Sequence, residues 1–279
     1  MPDHNFIRRL KEKSLSSPEY PFRFISGSDL ARLASDHHLS LCSAQSICLN
    51  NRINLKRYLR NHSVLSLEEQ SLLAGSRVLM VGLGGLGGYV LEILARTGIG
   101  SFILADGDLF EESNLNRQIL GTTRSLGHSK AEAAHERLGH INPFCESRII
   151  PDFVSEDTLP GLLSQVDLVL DALGGISFRP VLLRQASLAR IPLVTGFVAG
   201  TTGLTSTVLP QGKSPEAFWQ GRDDQGAEIT LGNMATIVSL TASIQAQEAI
   251  RILTGKKPCL SDKVLLADLE TLTFDLLEL

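Results

Sequence analysis

Cysteine is scarce: four in 279 residues, at Cys42, Cys48, Cys145 and Cys259, with no Cys-x-x-Cys pair among them. A chain of this length can bury a large core without a disulfide framework, and a tetrahedral zinc site has no paired ligands to build on. His37 and His38 lie near Cys42 and Cys48 at no recognised ligand spacing, and read as surface histidines beside ordinary buried cysteines. A charge excess is lacking too. The formal net charge of -4 gives no global pull toward nucleic acid or an anionic membrane. There is no uninterrupted membrane-length apolar run, since the nearest candidate, 78–95, carries five glycines and Glu92. The first residues hold no apolar segment behind a basic one. Together these absences predict a soluble, cytoplasmic protein with no zinc and no membrane or nucleic-acid partner. Internal repeats are also absent.

What is present is a glycine run, Val78-Leu-Met-Val-Gly82-Leu-Gly84-Gly85-Leu-Gly87-Gly88. A short apolar strand leads in and an apolar helix leads out, and Gly82, Gly84 and Gly87 have the G-x-G-x-x-G spacing. Glycines there permit a tight turn and let backbone N–H groups approach a phosphate at a helix N-terminus. A second strand, 102–105, ends at Asp106, about 20 residues past the glycines, where a Rossmann unit places its ribose-binding acid. The chain is therefore expected to bind an adenine nucleotide.

From residue 57 onward, strand and helix patterns alternate. Helices are expected at 67–73 (Ser66 as N-cap, Glu69 three residues on), 86–97, 129–139, 159–164, 178–189 and 234–253. Strands are expected at 78–81, 102–105, 146–150, 168–171 and 193–195. A further strand, 203–209, is Thr-rich and reads as an exposed sheet edge. Residues 210–232 read as a long mobile loop, and 264–269 with 272–277 as a terminal hairpin. This predicts an α/β, Rossmann-like, doubly wound and mainly parallel sheet with a C-terminal antiparallel extension. Residues 1–56 form a separate helical appendage, basic at Arg8, Arg9, Lys11 and Lys13. Its helical patterns at 28–35 and 43–51 faintly suggest a helix-turn-helix; packing on the main domain or a partner subunit is the simpler role.

The chemistry is narrowed by what surrounds the glycines: Asp106-Gly-Asp108, Ser113-Asn114-Leu-Asn-Arg117-Gln118, Gly127-His-Ser-Lys130 at a helix start, and Arg57-Tyr58-Leu-Arg60-Asn61 upstream. A dinucleotide seldom needs several cations. A triphosphate losing pyrophosphate does, because charge builds on the leaving oxygens. Singly, Arg60, Arg117 and Lys130 would read as solvated surface residues. As a set around a glycine turn they favour a triphosphate. A nicotinamide-dependent oxidoreductase, resting on the glycine motif alone, is weakened by these cations and by the lack of an evident acid–base pair.

These segments, with Ile141-Asn142-Pro143 and Gln245-Ala-Gln-Glu248-Ala-Ile, resemble the MoeB/ThiF/HesA family, ATP-dependent adenylyltransferases of ubiquitin-like sulfur carriers, also found as the adenylation domain of ubiquitin-activating enzymes. The resemblance covers residues 57–279, which would form an ATP-binding adenylation domain. It implies ATP and Mg²⁺ as cofactors, a partner that is a small ubiquitin-like protein ending in Gly-Gly, and a homodimer. Gly84 and Gly85 would line the phosphates, Gly82 and Gly87 would complete the nucleotide-binding turn, and Asp106, with Asp108 beside it, would hold the ribose. Asn114, Arg117 and Lys130 would hold the phosphate chain, and Arg60 would reach across the dimer into the neighbour's site. The chemistry implied is attack of the carrier's C-terminal glycine carboxylate on the α-phosphate of ATP.

Three departures stand out. The family carries an Asp-x-x-Asp-Asn turn whose second Asp binds magnesium, but this chain has Asp171-Ala-Leu-Gly174-Gly175. Either Asp171 or a residue of 210–232 takes over as magnesium ligand, or Asp171 only holds the turn and the chain is a non-catalytic ATP- or carrier-binding member. Paired zinc cysteines, present in many members, are missing. The loop 210–232 has no cysteine, which excludes a thioester or persulfide step from it, and Cys259 reads as a bystander.

Overall fold

The structure is a computed structural model and describes residues 4–218 and 227–279. The N-terminal unit comprises α1 (His4–Lys13), β1 (Arg23–Ile25), α2 (Gly27–Asp36), α3 (Leu41–Asn50) and β2 (Ile53–Leu55). Its apolar residues Phe6, Leu10, Ile25, Leu30, Ile53 and Leu55 are buried in a cluster shared with Tyr58 and Phe144 of the following domain. The basic start is thus more than a polar tail: Phe6 and Leu10, one helical turn apart, give α1 a buried stripe. β1 and β2 pair in parallel, a small sheet that the helical patterns did not announce. His37 is half-buried, with its ring edge-on to Phe6 at 5.4 Å rather than out in solvent. Cys48 and Cys145 are buried, and burial pushes both thiols up, the latter to about 12.

The main domain follows: α4 (Leu67–Gly75), β3 (Arg77–Val81), α5 (Gly85–Thr97), β4 (Ser101–Ala105), α6 (Lys130–Ile141), β5 (Glu146–Ile150), α7 (Leu159–Leu163) and β6 (Leu168–Asp171). Next come α8 (Arg179–Ala189), β7 (Leu193–Ala199), β8 (Thr202–Val208), α9 (Glu228–Leu231), α10 (Ala235–Leu253), β9 (Lys263–Asp268) and β10 (Thr273–Glu278). Local chemistry sets the boundaries. Ser66 and Glu69 close a reciprocal capping box at α4, and Gly98 ends α5 in a left-handed cap.

Eight strands form one sheet in the order β10-β9-β8-β7-β6-β3-β4-β5. β5, β4, β3, β6 and β7 are parallel; β8, β9 and β10 continue antiparallel. One face is covered by α5, α6 and α10 over a core that includes Val78, Met80, Leu91, Phe102 and Ala246. The other carries α7 and α8 over Leu79, Val169, Leu182 and Leu193. Strand order reverses between β3 and β6, and a doubly wound sheet opens a crevice at the carboxyl ends of such strands.

Two expectations are corrected here. β8 is no exposed edge: it is flanked by β7 and β9, with residues 203–208 buried. Its hydroxyls are satisfied internally, Ser206 Oγ donating to the Lys263 carbonyl and Thr207 Oγ1 to Glu248 Oε2. The edge is instead β10, exposed along its whole length. Within 210–232, residues Pro215–Phe218 form a 3₁₀ turn and α9 is helical, so the segment is not simply a loop; its remaining stretch, 219–226, lies outside the described residues. Among the described residues, no helix is long and apolar enough to cross a membrane.

Candidate nucleotide-binding site

A cleft of ≈ 540 Å³ opens where β3, β4 and β6 end. Its roof is the glycine turn. Gly82 has φ +93, and a Cβ there would lie 2.5 Å from the Ala172 carbonyl oxygen; a Cβ at Gly87 would lie 2.0 Å from the carbonyl oxygen of Gly82. These two glycines are demanded by the protein's own backbone, which folds the turn tightly onto the end of β6. Gly84 and Gly85 are different: they line the cleft, with α5 beginning at Gly85, so the free amides of the first helical turn face it.

Asp106, at the end of β4, lies on the same cleft. Its Oδ2 accepts from the Leu83 amide at 2.6 Å and its Oδ1 from the Asp108 amide at 2.8 Å, which locks the carboxylate against the glycine turn. Burial raises its pKa above the usual carboxylate range, against the opposing pull of those amides and of Lys130.

Lys130, first residue of α6, has a side chain only 7% exposed, and its Nζ lies 2.9 Å from Asp108 Oδ2. Its position is held from both ends, since its own amide donates to the Asp108 carbonyl at 3.1 Å. Arg117 also lines the cleft, half-buried, with Nη1 donating to the Ser113 carbonyl and to Asn116 Oδ1. Asn114 caps the turn it sits in by accepting from the Glu111 amide. Gln118 is buried behind Gly84, and its Oε1 has no partner among the described residues. Gly82, Gly84, Gly85, Asp106, Asp108, Asn114, Arg117 and Lys130 thus line one cavity, with Gly87 packed behind the turn.

Asp171 does not join them as an available ligand. It is fully buried. Its Oδ2 accepts from Arg179 Nη1 at 2.6 Å and Thr195 Oγ1 at 2.7 Å, and its Oδ1 from the Leu173 amide. Arg179, also fully buried, completes the network through the carbonyls of Leu173, Gly175 and Gly196. The expected magnesium ligand is, in this geometry, the anchor of the turn after β6. Sequence reasoning missed Arg179, since nothing in the run Phe178-Arg179-Pro180 marks an arginine destined for the interior. It also missed Asp152 and Phe153 on the wall beside Asp106, and Glu228 on the opposite wall.

Three of the quoted segments hold the fold rather than the cleft. Arg57 Nη1 bonds Asn142 Oδ1, while Asn142 Nδ2 donates to the Tyr58 hydroxyl and the Ala95 carbonyl. The Tyr58 hydroxyl donates onward to Gln45 Oε1 of α3, and this clasps the N-terminal unit to the main domain. Gln245 Nε2 donates to the Asp171 carbonyl, and Glu248 accepts from the amides of Cys259 and Leu260, tying α10 to the sheet. Arg60 is exposed and lies outside the cleft of its own chain. Among the described residues, no group of three or more His, Cys, Asp or Glu is placed to hold a metal ion.

A model of the ThiF family matches residues 55–279. Molybdopterin-synthase adenylyltransferase of Escherichia coli (strain K12) is 33% identical over 208 residues, spanning 74% of this chain and 84% of the relative. The sulfur carrier protein ThiS adenylyltransferase of the same organism is 29% identical over 194 residues, 68% of this chain and 77% of the relative. Among solved structures, E. coli MccB with ATP superposes with a TM-score of 0.68 at 20% identity, over 80% of this chain and 70% of that one. PaaA superposes with 0.67 at 21% identity, over 98% and 81%. These structural likenesses establish the Rossmann-like fold, the PaaA match reaching across the N-terminal unit as well. With its glycine turn, its cleft holding Lys130 and Arg117, and the match over residues 55–279, this chain belongs to the ThiF family, whose relatives named here are adenylyltransferases.

Proposed function

We propose that this chain binds ATP with Mg²⁺ and transfers the adenylyl group to the C-terminal glycine carboxylate of a small ubiquitin-like sulfur carrier ending in Gly-Gly, releasing pyrophosphate. The observation that carries this reading is the buried Lys130 ammonium, set with Arg117 in a cleft roofed by helix-start amides. That arrangement suits a polyanion. The acceptor carboxylate is already ionised at neutral pH, so no protein base is needed. One of its oxygens bonds to the α-phosphorus as the bond to the pyrophosphate oxygen breaks. The negative charge that develops passes to the leaving group, where Lys130 and Arg117 stabilise it. Asp106 accepts the ribose hydroxyls and Asn114 steadies the phosphate chain. Magnesium, when bound, would neutralise phosphate charge; it commonly needs only one or two protein carboxylates, so the lack of a dedicated cluster among the described residues does not oppose it.

Arg60, exposed outside its own cleft, acts in the neighbouring site of a cytoplasmic homodimer, and residues 1–56 are an appendage to the adenylation domain at 57–279. The test is ATP–pyrophosphate exchange with a purified Gly-Gly-ending carrier. Exchange that depends on the carrier supports the enzyme. A second reading, a non-catalytic ATP- or carrier-binding member, is favoured by one observation: Gly174 offers no carboxylate and that of Asp171 is fully engaged. Tight ATP binding without exchange would select it.

A further inference from the structure

α9 does not pack as a passive connector. The Glu228 side chain crosses to the turn after β6, where its Oε1 accepts from the Gly175 amide at 2.8 Å. That amide is itself well fixed. Arg179 grips both sides of the turn, bonding the Leu173 and Gly175 carbonyls while it is paired with Asp171 and Thr195. One oxygen of Glu228 is therefore docked on a rigid support immediately beside Gly174. The other, Oε2, is buried and has no hydrogen-bond partner among the described residues. A buried carboxylate oxygen without a donor is costly, and a cation is the counterpart that would satisfy it. Glu228 lines the same cleft as Gly174, Arg117 and Lys130.

We propose that Glu228 is the carboxylate that holds the phosphate-bound Mg²⁺ in this chain, supplying from α9 what the family's second aspartate supplies and Gly174 does not. This rests on the ATP reading above. One carboxylate is enough, because Mg²⁺ bound to a nucleotide keeps several waters and takes phosphate oxygens for the rest of its shell. The site is vacated at residue 174 for no steric reason: a Cβ there would meet nothing within 4 Å, and the backbone is not left-handed. The space at residue 174 is open, and the carboxylate beside it comes from α9.

The test is a direct measurement of metal binding, separate from turnover. Mn²⁺ serves as the probe in electron paramagnetic resonance titrations of the full chain with ATP, and calorimetry measures ATP binding in EDTA. Glu228→Gln keeps the acceptor for the Gly175 amide and removes the charge. It is expected to weaken Mn²⁺ in the ATP complex by at least about tenfold without weakening ATP binding in EDTA. Glu228→Gln combined with Gly174→Asp is expected to restore the Mn²⁺ affinity, and matching thermal melts confirm that both variants are folded. If Glu228→Gln binds Mn²⁺ as wild type does, or wild type binds ATP with no Mn²⁺, the assignment of Glu228 is overturned while the ATP reading stands. If wild type prefers AMP or NAD to ATP, the ATP reading itself falls.

Discussion

Lys130→Met is the sharpest perturbation of the proposed site, because it keeps the length of the side chain and removes only its charge. Lys130 is 7% exposed and its structural partner is Asp108, whose side chain is 52% exposed. Two effects add in the variant. The bond from the ammonium to a phosphate is lost, worth about 1.5–3 kcal/mol for a hydrogen bond to a charged group. Asp108 is then left to face the same phosphates without its counter-ion. Being half exposed it is well screened, so its repulsion adds no more than about 1 kcal/mol. The sum, about 1.5–4 kcal/mol, corresponds to roughly 10- to 700-fold weaker ATP binding. The double variant Lys130→Met with Asp108→Asn should recover the smaller share and leave the larger. Calorimetry with ATP and AMP at fixed ionic strength measures both, and the loss should be greater for ATP. Equal wild-type affinity for the two nucleotides, or no loss in Lys130→Met, would refute the triphosphate assignment.

Other expectations follow from the same geometry. Asp171→Asn removes the carboxylate charge from the fully buried pair with Arg179 and should cost about 3–5 kcal/mol in urea unfolding; a cost under about 1 kcal/mol would show that the pair does not anchor the turn. Gly174→Asp should change stability by less than about 0.5 kcal/mol because its side chain points into open space, and it should raise the rate of pyrophosphate release with carrier present. The neighbouring Gly175→Ala, at φ +74, should instead cost about 1 kcal/mol or more. Burial works to raise the pKa of Glu92, but Arg137 and Arg96 outweigh it and hold the carboxyl below its usual range. A depressed carboxylate stabilises the fold above the unfolded pKa, and the benefit is lost as pH falls. The urea-midpoint gap between wild type and Glu92→Gln should therefore be open at neutral pH and close below about pH 4.3, the ordinary Glu value; a gap that stays constant down to pH 3 would be inconsistent with the ion pairs.

The sequence by itself determined what depends on residues a few positions apart. The glycine turn, the acid ending β4, the capping box at Ser66 and Glu69, and the strand–helix alternation are all local patterns of period, cap and turn. With the family resemblance, which named Asn114, they were enough to group Gly84, Gly85, Asp106, Asn114, Arg117 and Lys130; these line one cleft because a doubly wound sheet brings the ends of β3 and β4 together. Tertiary structure decided what depends on partners far along the chain. β8 looks like an edge in sequence because it is rich in Thr and Ser, yet it lies inside the sheet. The acceptors for Ser206 and Thr207 come from Lys263 and Glu248, which no local pattern could announce. Asp171 looks free until Arg179 and Thr195 close on it, turning a candidate ligand into a buried anchor. Glu228 is one acid in a polar segment until the Gly175 amide, 53 residues away, takes one of its oxygens and leaves the other without a donor among the described residues. Periodicity and capping report the cost of local backbone geometry; the fate of a charge is set by which distant groups replace the water it loses, and only the folded chain decides that.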